Sequence, residues 1–211
     1  MCIRDRRTSK RGKLHIEIIE GFTWMWRQPF IRAMTLLMGS SALILPGSVL
    51  IVIVFAQQQH APPFIIGLIF AAGGIGAILG SLLAPLIHKR LSVGQSILSV
   101  RWAFVLLWTL YALAPFPLVL GAIEFGFGVA DPIEDVAYFS YRLMLIPDAL
   151  KGRVISACRL FPGTTRPIGL VLTGILIQRF GVTTTAVVFW ICLALMTLIA
   201  TIDSSIRKAG A

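Results

Sequence analysis

Four acidic residues, Glu124, Asp131, Glu134 and Asp135, fall inside one otherwise apolar stretch from Phe116 to Tyr138. Glu124, Asp131 and Asp135 stand at i, i+7 and i+11, so on an α-helix the latter two project within about 20° of the Glu124 direction, with Gly128 near the same face. In the next apolar stretch, Val154 to Ile177, Arg166 is the residue nearest the midpoint, set among Pro162, Gly163, Pro167 and Gly169. Charges of this kind are expensive in hydrocarbon, so they face a bundle interior or a water-filled cavity and pair with opposite charge. Two chemistries follow. As a site, the residues bind a charged substrate group or exchange protons as access alternates; as a scaffold, they form a buried ion pair that fixes helix register. Glu124 and Asp131 lie ~4.5 Å and ~6 Å to either side of Phe127 along the axis, deep in the stretch. Glu134 and Asp135 fall nearer its cytoplasmic end, where a solvated or loop-pairing role is expected. Arg101 and Arg159 have stems long enough to snorkel and read as structural.

The elements that must position these residues follow from composition. Of 211 residues 57% are hydrophobic and 13% charged, at a mean hydropathy of +0.87. A soluble domain carries about 25% charged residues, so a water-facing surface, and with it a soluble enzyme or nucleic-acid-binding domain, is excluded despite a net charge of +10. Stretches long enough to cross a bilayer run from Ala33 to Phe55, Phe64 to Ile87, Ser92 to Ala114, Phe116 to Tyr138, Val154 to Ile177 and Thr183 to Ile202. Pro and polar clusters separate them: Gln57 to Pro63, His88 to Arg90, Pro115 with Pro117, Pro147 to Arg153, and Gln178 to Gly181. The expected fold is an all-α membrane protein, a six-transmembrane-helix bundle of residues 31–202. With the N-terminus inside, fifteen Lys and Arg lie on the cytoplasmic side and Arg179 alone outside, which places both termini in the cytoplasm.

Residues 1–13 read as a non-native or disordered segment outside the fold. Residues 14–30 are too polar to cross, yet Ile18, Phe22, Met25 and Trp26 share one helical face, which predicts a cytoplasmic helix lying in the inner leaflet and ended by Pro29. Residues 203–211 form a polar cytoplasmic tail. Gly73, Gly76 and Gly80 in the second stretch offer a close helix contact, either a static packing face or a sliding one. Cys2, Cys158 and Cys192 are scattered with no ligand spacing, and no metal or cofactor is implied. Serine-protease GxSxG and HExxH patterns are absent, His15, His60 and His88 fall outside the stretches, and Gly73-Gly74-Ile75-Gly76 is followed by no Lys-Ser/Thr pair. No enzyme is read here.

Four further segments carry a resemblance: Glu20 to Pro29; Gly76 to Gly80 leading into His88-Lys89-Arg90; Phe139 to Arg142 with Ile146-Pro147-Asp148 and Gly152-Arg153-Val154; and Pro167-Ile168-Gly169. Over residues 14–208 the chain resembles the C-terminal half, transmembrane helices seven to twelve, of a major facilitator superfamily transporter of the bacterial efflux type. The resemblance implies two inverted three-helix repeats, a missing N-terminal six-helix half as partner, a bacterial inner membrane location among lipid, and proton-coupled efflux of small molecules by alternating access. Within that reading Glu124, Asp131 and Arg166, singled out by their mid-span charge, are the expected substrate-binding or proton-coupling residues, and Lys89, Arg90, Arg142, Asp148 and Arg153 the expected cytoplasmic gate or loop residues. The chain departs from the family in reading His88-Lys89-Arg90-Leu91 where Asp-Arg-x-Gly is usual. Arg166 and Asp131 stand where the family carries uncharged residues, and together they look like a compensating pair. The alternatives are a non-transporting six-span protein and a half-transporter that homodimerises.

Overall fold

The computed structural model describes residues 14–112, 116–148 and 150–207. The expectations for residues 1–13, Cys2, Pro115 and the tail from residue 208 lie outside these. Among the described residues nine helices follow one another: α1 (Leu14–Arg27), α2 (Pro29–Ile44), α3 (Gly47–Gln58), α4 (Pro63–His88), α5 (Val93–Ala112), α6 (Pro117–Leu145), α7 (Lys151–Phe180), α8 (Val182–Ile202) and α9 (Ser204–Arg207). Five segments are long and apolar enough to cross a membrane: α2 with α3, then α4, α5, α7 and α8. This is the architecture of a multi-pass membrane protein. Helix α6, at 29 residues, has the length but carries too many charges to qualify by composition.

The first expected stretch is broken rather than continuous. Helix α2 stops at Ile44, Leu45-Pro46 turn, and α3 restarts at Gly47. A proline ring clashes with the carbonyl four residues back and supplies no N–H, so Pro46 ends one helix and caps the next. Two other boundaries move: α6 runs on to Leu145 and α7 begins at Lys151, because Phe139 to Leu145 contains neither Gly nor Pro to stop the helix. Proline also sits inside α4, α6 and α7. Between the two prolines of α7 lie two hydroxyls: Thr165 Oγ1 donates to Gly39 O at 3.0 Å and so ties α7 to α2, and Thr164 Oγ1 donates to Leu160 O at 3.0 Å within α7.

Helix α1 forms where the amphipathic face predicts, but its face is divided. Met25 is buried and Gly21 lies against the Arg153 backbone of α7, while Phe22 and Trp26 stack at 5.9 Å and stay exposed. Ile18 lies outside the described side chains. The expected polar tail begins instead with a helical turn, α9, whose Ile206 is buried and whose backbone meets Gly94 of α5.

Helix α4 packs along α6, α2 along α7, and α5 against α6 and α8. Close approach of α4 and α6 is made possible by glycine. Gly76 and Gly80 lie on the Phe125 and Val129 carbonyls, and Gly128 in turn lies on Gly73 O. This is the small-residue interface expected of Gly73, Gly76 and Gly80. The outward faces of α4 and α7 are apolar and exposed, with Leu82 and Leu86 on one and Val171 and Ile175 on the other, as suits contact with lipid or another membrane protein.

Candidate functional site: a charged cavity among helices α2 to α7

A cavity of about 1310 Å³ opens between these helices. Helix α6 supplies one wall, with Glu124, Phe127, Gly128, Asp131, Asp135 and Arg142 recurring at steps of three, four and seven residues along one face. Helix α7 faces it with Arg159, Pro162, Gly163 and Arg166, and the broken α2–α3 segment contributes Ser41, Leu45, Pro46 and Val49. The cavity therefore lies where two helices are interrupted by proline.

All three residues expected to bind or couple line this cavity. Arg166 stands within a residue of the midpoint of α7, and Asp131 is the midpoint of α6 as observed, four residues beyond the Phe127 midpoint that the sequence suggests. Asp131 and Arg166 are both exposed to the cavity and no ion pair closes between them, although the Arg166 charge acts on Asp131 and Asp135 across the gap. The expected compensating pair is thus an open arrangement. Glu124 is held differently. Its Oε1 accepts a hydrogen bond from Tyr111 Oη at 2.8 Å, at the edge of an aromatic group in which Trp108, Tyr111 and Phe127 meet with ring centroids 5.2 to 6.4 Å apart.

A closed and buried ion pair involves residues assigned other roles by the sequence. Arg101 does not snorkel and Glu134 is not solvated. Arg101 Nη2 and Nε lie 2.6 and 2.7 Å from Glu134 Oε1, and the Arg101 and Glu134 residues are 1% and 4% exposed. Arg101 Nη1 also donates to Ser41 Oγ, which donates onward to Leu37 O at 2.8 Å. One guanidinium thereby joins α2, α5 and α6 in the interior, consistent with a shared-oxygen, charge-assisted geometry. Snorkelling fails because Arg101 points inward from the middle of α5, where no headgroup is within reach.

Among the residues expected at a cytoplasmic gate, Lys89 and Arg90 follow α4 and are exposed. Arg142 lies in the last turns of α6 rather than in a loop, is 2% exposed and lines the cavity. Arg153 is half-buried near the start of α7, where its backbone supports Gly21. Asp148 pairs with Lys151 Nζ at 2.6 Å, and that hydrogen bond and charge hold its carboxyl below the usual carboxylate range. A lowered value stabilises the fold above the usual carboxylate pKa and the contribution is lost as pH falls through the lowered one. Because Asp148 is fully exposed, Asp148→Asn is expected to leave the thermal midpoint at neutral pH unchanged, a result read directly by a melting curve in detergent. A clear fall would mean that the pair anchors the α6–α7 connection.

His88 also departs from its expected loop position. It is the last residue of α4 and half-buried, with Nε2 3.1 Å from Ile133 O and Nδ1 3.3 Å from Ser96 Oγ. A carbonyl only accepts, so Nε2 carries the proton in that contact. His88 thus ties the end of α4 to α5 and α6.

Sequence reasoning missed Tyr111, Ser41 and the cavity-lining role of Arg142. Tyr111 had a visible signal, since a tyrosine in the last turns of one span lies across a short connection from the first turns of the next. Ser41 had none. The chain matches no family model, no characterised protein and no solved structure.

Proposed function

We propose that this chain is one six-helix half of a secondary active transporter that exports small molecules, coupled to protons, by alternating access. One observation carries the reading: a large cavity in an apolar bundle, with Glu124, Asp131 and Asp135 on one wall and Arg166 opposite at mid-helix, in no ion pair among the described residues. Its size exceeds the ~300–1,000 Å³ of ordinary ligand pockets. Ionisable groups retained at such depth in a membrane mark substrate or proton pathways. The scaffold role belongs to Arg101 and Glu134, a closed pair buried at the cavity wall, leaving Asp131 and Arg166 free to change partners.

In this reading α6 completes a set of six spans, its acids lining the cavity while Phe125 is exposed outside it. Support for two three-helix repeats comes from the packing. Exchanging the first three spans with the last three turns the α4–α6 contact into the α7–α2 contact and maps α5–α8 onto itself. The correspondence reaches single residues. Gly80 lies on the Val129 carbonyl, and Gly169, 89 residues further on, lies on the carbonyl of Leu43, 86 residues before Val129. Gly76 meets the Phe125 carbonyl, and by the same offsets Thr165 meets that of Gly39. A second six-helix half is the proposed partner, against which this one rocks. The bacterial inner membrane, with both chain ends in the cytoplasm, is the proposed setting, supported by the excess of Lys and Arg on one side.

The test is transport by the complete protein in inverted membrane vesicles, with ethidium and carboxyfluorescein as cationic and anionic probes. Asp131→Asn and Glu124→Gln are each expected to reduce accumulation driven by a pH gradient at least tenfold, while exchange without a gradient persists. Accumulation that stays fully gradient-dependent in both variants would remove proton coupling through these residues.

A further inference from the structure

Helix α6 ends in a cationic pocket that the proposed coupling residues do not use. Arg142 is 2% exposed, yet its Nε has no hydrogen-bond partner and no carboxylate oxygen lies within 4 Å of its guanidinium among the described residues. Its Nη1 donates to Tyr138 Oη at 3.2 Å, and its Cζ stands 4.7 Å from the Tyr138 ring centroid and 4.9 Å from that of Phe139. A second guanidinium approaches the same ring, with Arg159 Cζ of α7 5.5 Å from the Phe139 centroid. Both arginines, Tyr138 and Phe139 line the cavity.

Two guanidinium groups gathered on one ring repel each other. Cation–π contact with the ring offsets part of that repulsion but neutralises nothing. A buried charge is ordinarily matched by an opposite one, yet among the described residues no acid touches Arg142, and only the more distant Asp135 charge acts on it. Asp135 is the nearest of the cavity acids along α6, two turns back and ~10.5 Å away along the axis. Glu134 is committed to Arg101, and Asp131 lies deeper, opposite Arg166. The cavity is therefore polarised, cationic at the Arg142 end and acidic toward Glu124.

We propose that Arg142 and Arg159, with the Tyr138 hydroxyl, form a binding site for an oxyanion, a carboxylate or phosphate carried on an aromatic or apolar body. Guanidinium is the side chain best matched to planar or tetrahedral oxyanions, through paired N–H donors. Phe139 offers the attached body a face, and Phe70, Phe104 and Phe127 line the cavity beyond it. The site deepens the transport reading by naming the cargo as an organic anion, and it rests on that reading only for the anion's passage. The same chemistry is offered by an anionic lipid headgroup.

The experiment is equilibrium calorimetry on the full chain in phosphatidylcholine nanodiscs, with phenyl phosphate as probe and phenyltrimethylammonium as its cationic counterpart. Phenyl phosphate is expected to bind and the cation not to. Arg159→Gln, at an exposed position whose loss leaves the fold intact, is expected to weaken phenyl phosphate at least tenfold, and Arg142→Lys to weaken it several-fold. Repeating the titration with phosphatidylglycerol in the disc separates the sources: a headgroup occupant lowers phenyl phosphate affinity at least tenfold, and a solute site leaves it unchanged. Equal binding of the cation, or Arg159→Gln binding phenyl phosphate as the native chain does, would overturn the assignment. No gradient is imposed, so failure here is distinct from failure of proton-driven transport.

Discussion

Replacing Arg101 by Met is expected to destabilise the bundle by about 3–5 kcal/mol, because the substitution leaves the Glu134 carboxylate buried with no counter-charge. The geometry supports the upper part of that range. Two guanidinium nitrogens reach one carboxylate oxygen at 2.6 and 2.7 Å, a third holds Ser41, and the residues are sealed from solvent. Glu134→Leu removes the acid and strands the arginine, and a similar loss is expected. The double variant Arg101→Met, Glu134→Leu restores apolar packing without a stranded charge, and is expected to recover to within about 1 kcal/mol of the native chain, since ion pairs exchanged for apolar groups are often close to neutral. Ser41→Ala should cost less, about 1.5–3 kcal/mol, for one hydrogen bond to a charged group. Reversible unfolding in mixed micelles measures all four, and the decisive quantity is the coupling between the first two. Additive losses in the double variant would mean that the pair contributes nothing of its own and that the scaffold and the cavity charges are not separated.

That separation bears on what the sequence reveals. The apolar stretches located α4, α5, α7 and α8 to within a few residues, because length and hydropathy are properties of a segment alone. A proline inside an apolar stretch is also a local signal, yet Pro46 is hidden by the hydropathy of its neighbours, and the α2–α3 break emerges only where Leu45 and Pro46 border the cavity. Helix α6 shows the opposite conflict: the four acids that announce a site are the ones that disqualify the helix as a span by composition. Physics states that a charge at mid-helix must face inward; it does not name the partner. Arg101 pairs with Glu134 because packing of α4 on α6 and of α5 on α6 sets a register in which that carboxylate, and not Asp131, meets α5. Such registers depend on where backbones touch, which is a property of helix pairs. Charge type and depth placed Glu124, Asp131 and Arg166 on the cavity, whereas Tyr111 and Ser41 are ordinary residues until a neighbour approaches them.

The backbone contact that sets this register predicts a second large effect. Gly80→Val is expected to destabilise the fold by about 3 kcal/mol or more, at or above the upper end of ordinary overpacking, and Gly76→Val to do the same. A Cβ at either position would run into backbone, the Val129 carbonyl for Gly80 and the Phe125 carbonyl for Gly76, and backbone has no rotamer by which to retreat. Relief requires α4 and α6 to move apart, which also lifts Gly128 from Gly73 and withdraws α6 from its pairing with α5. Gly74 supplies the control on the same helix. It is exposed, nothing lies within 4 Å of its absent Cβ, and Gly74→Ala is expected to gain about 0.5–1 kcal/mol from the lower helix cost of alanine. Helix propensity and close packing thus predict opposite signs at neighbouring glycines, and unfolding of the three variants in mixed micelles reads both. If Gly80→Val behaved like Gly74→Ala, α4 and α6 would not be in backbone contact, and the register that delivers Glu134 to Arg101 and Asp131 to the cavity would have to be drawn again.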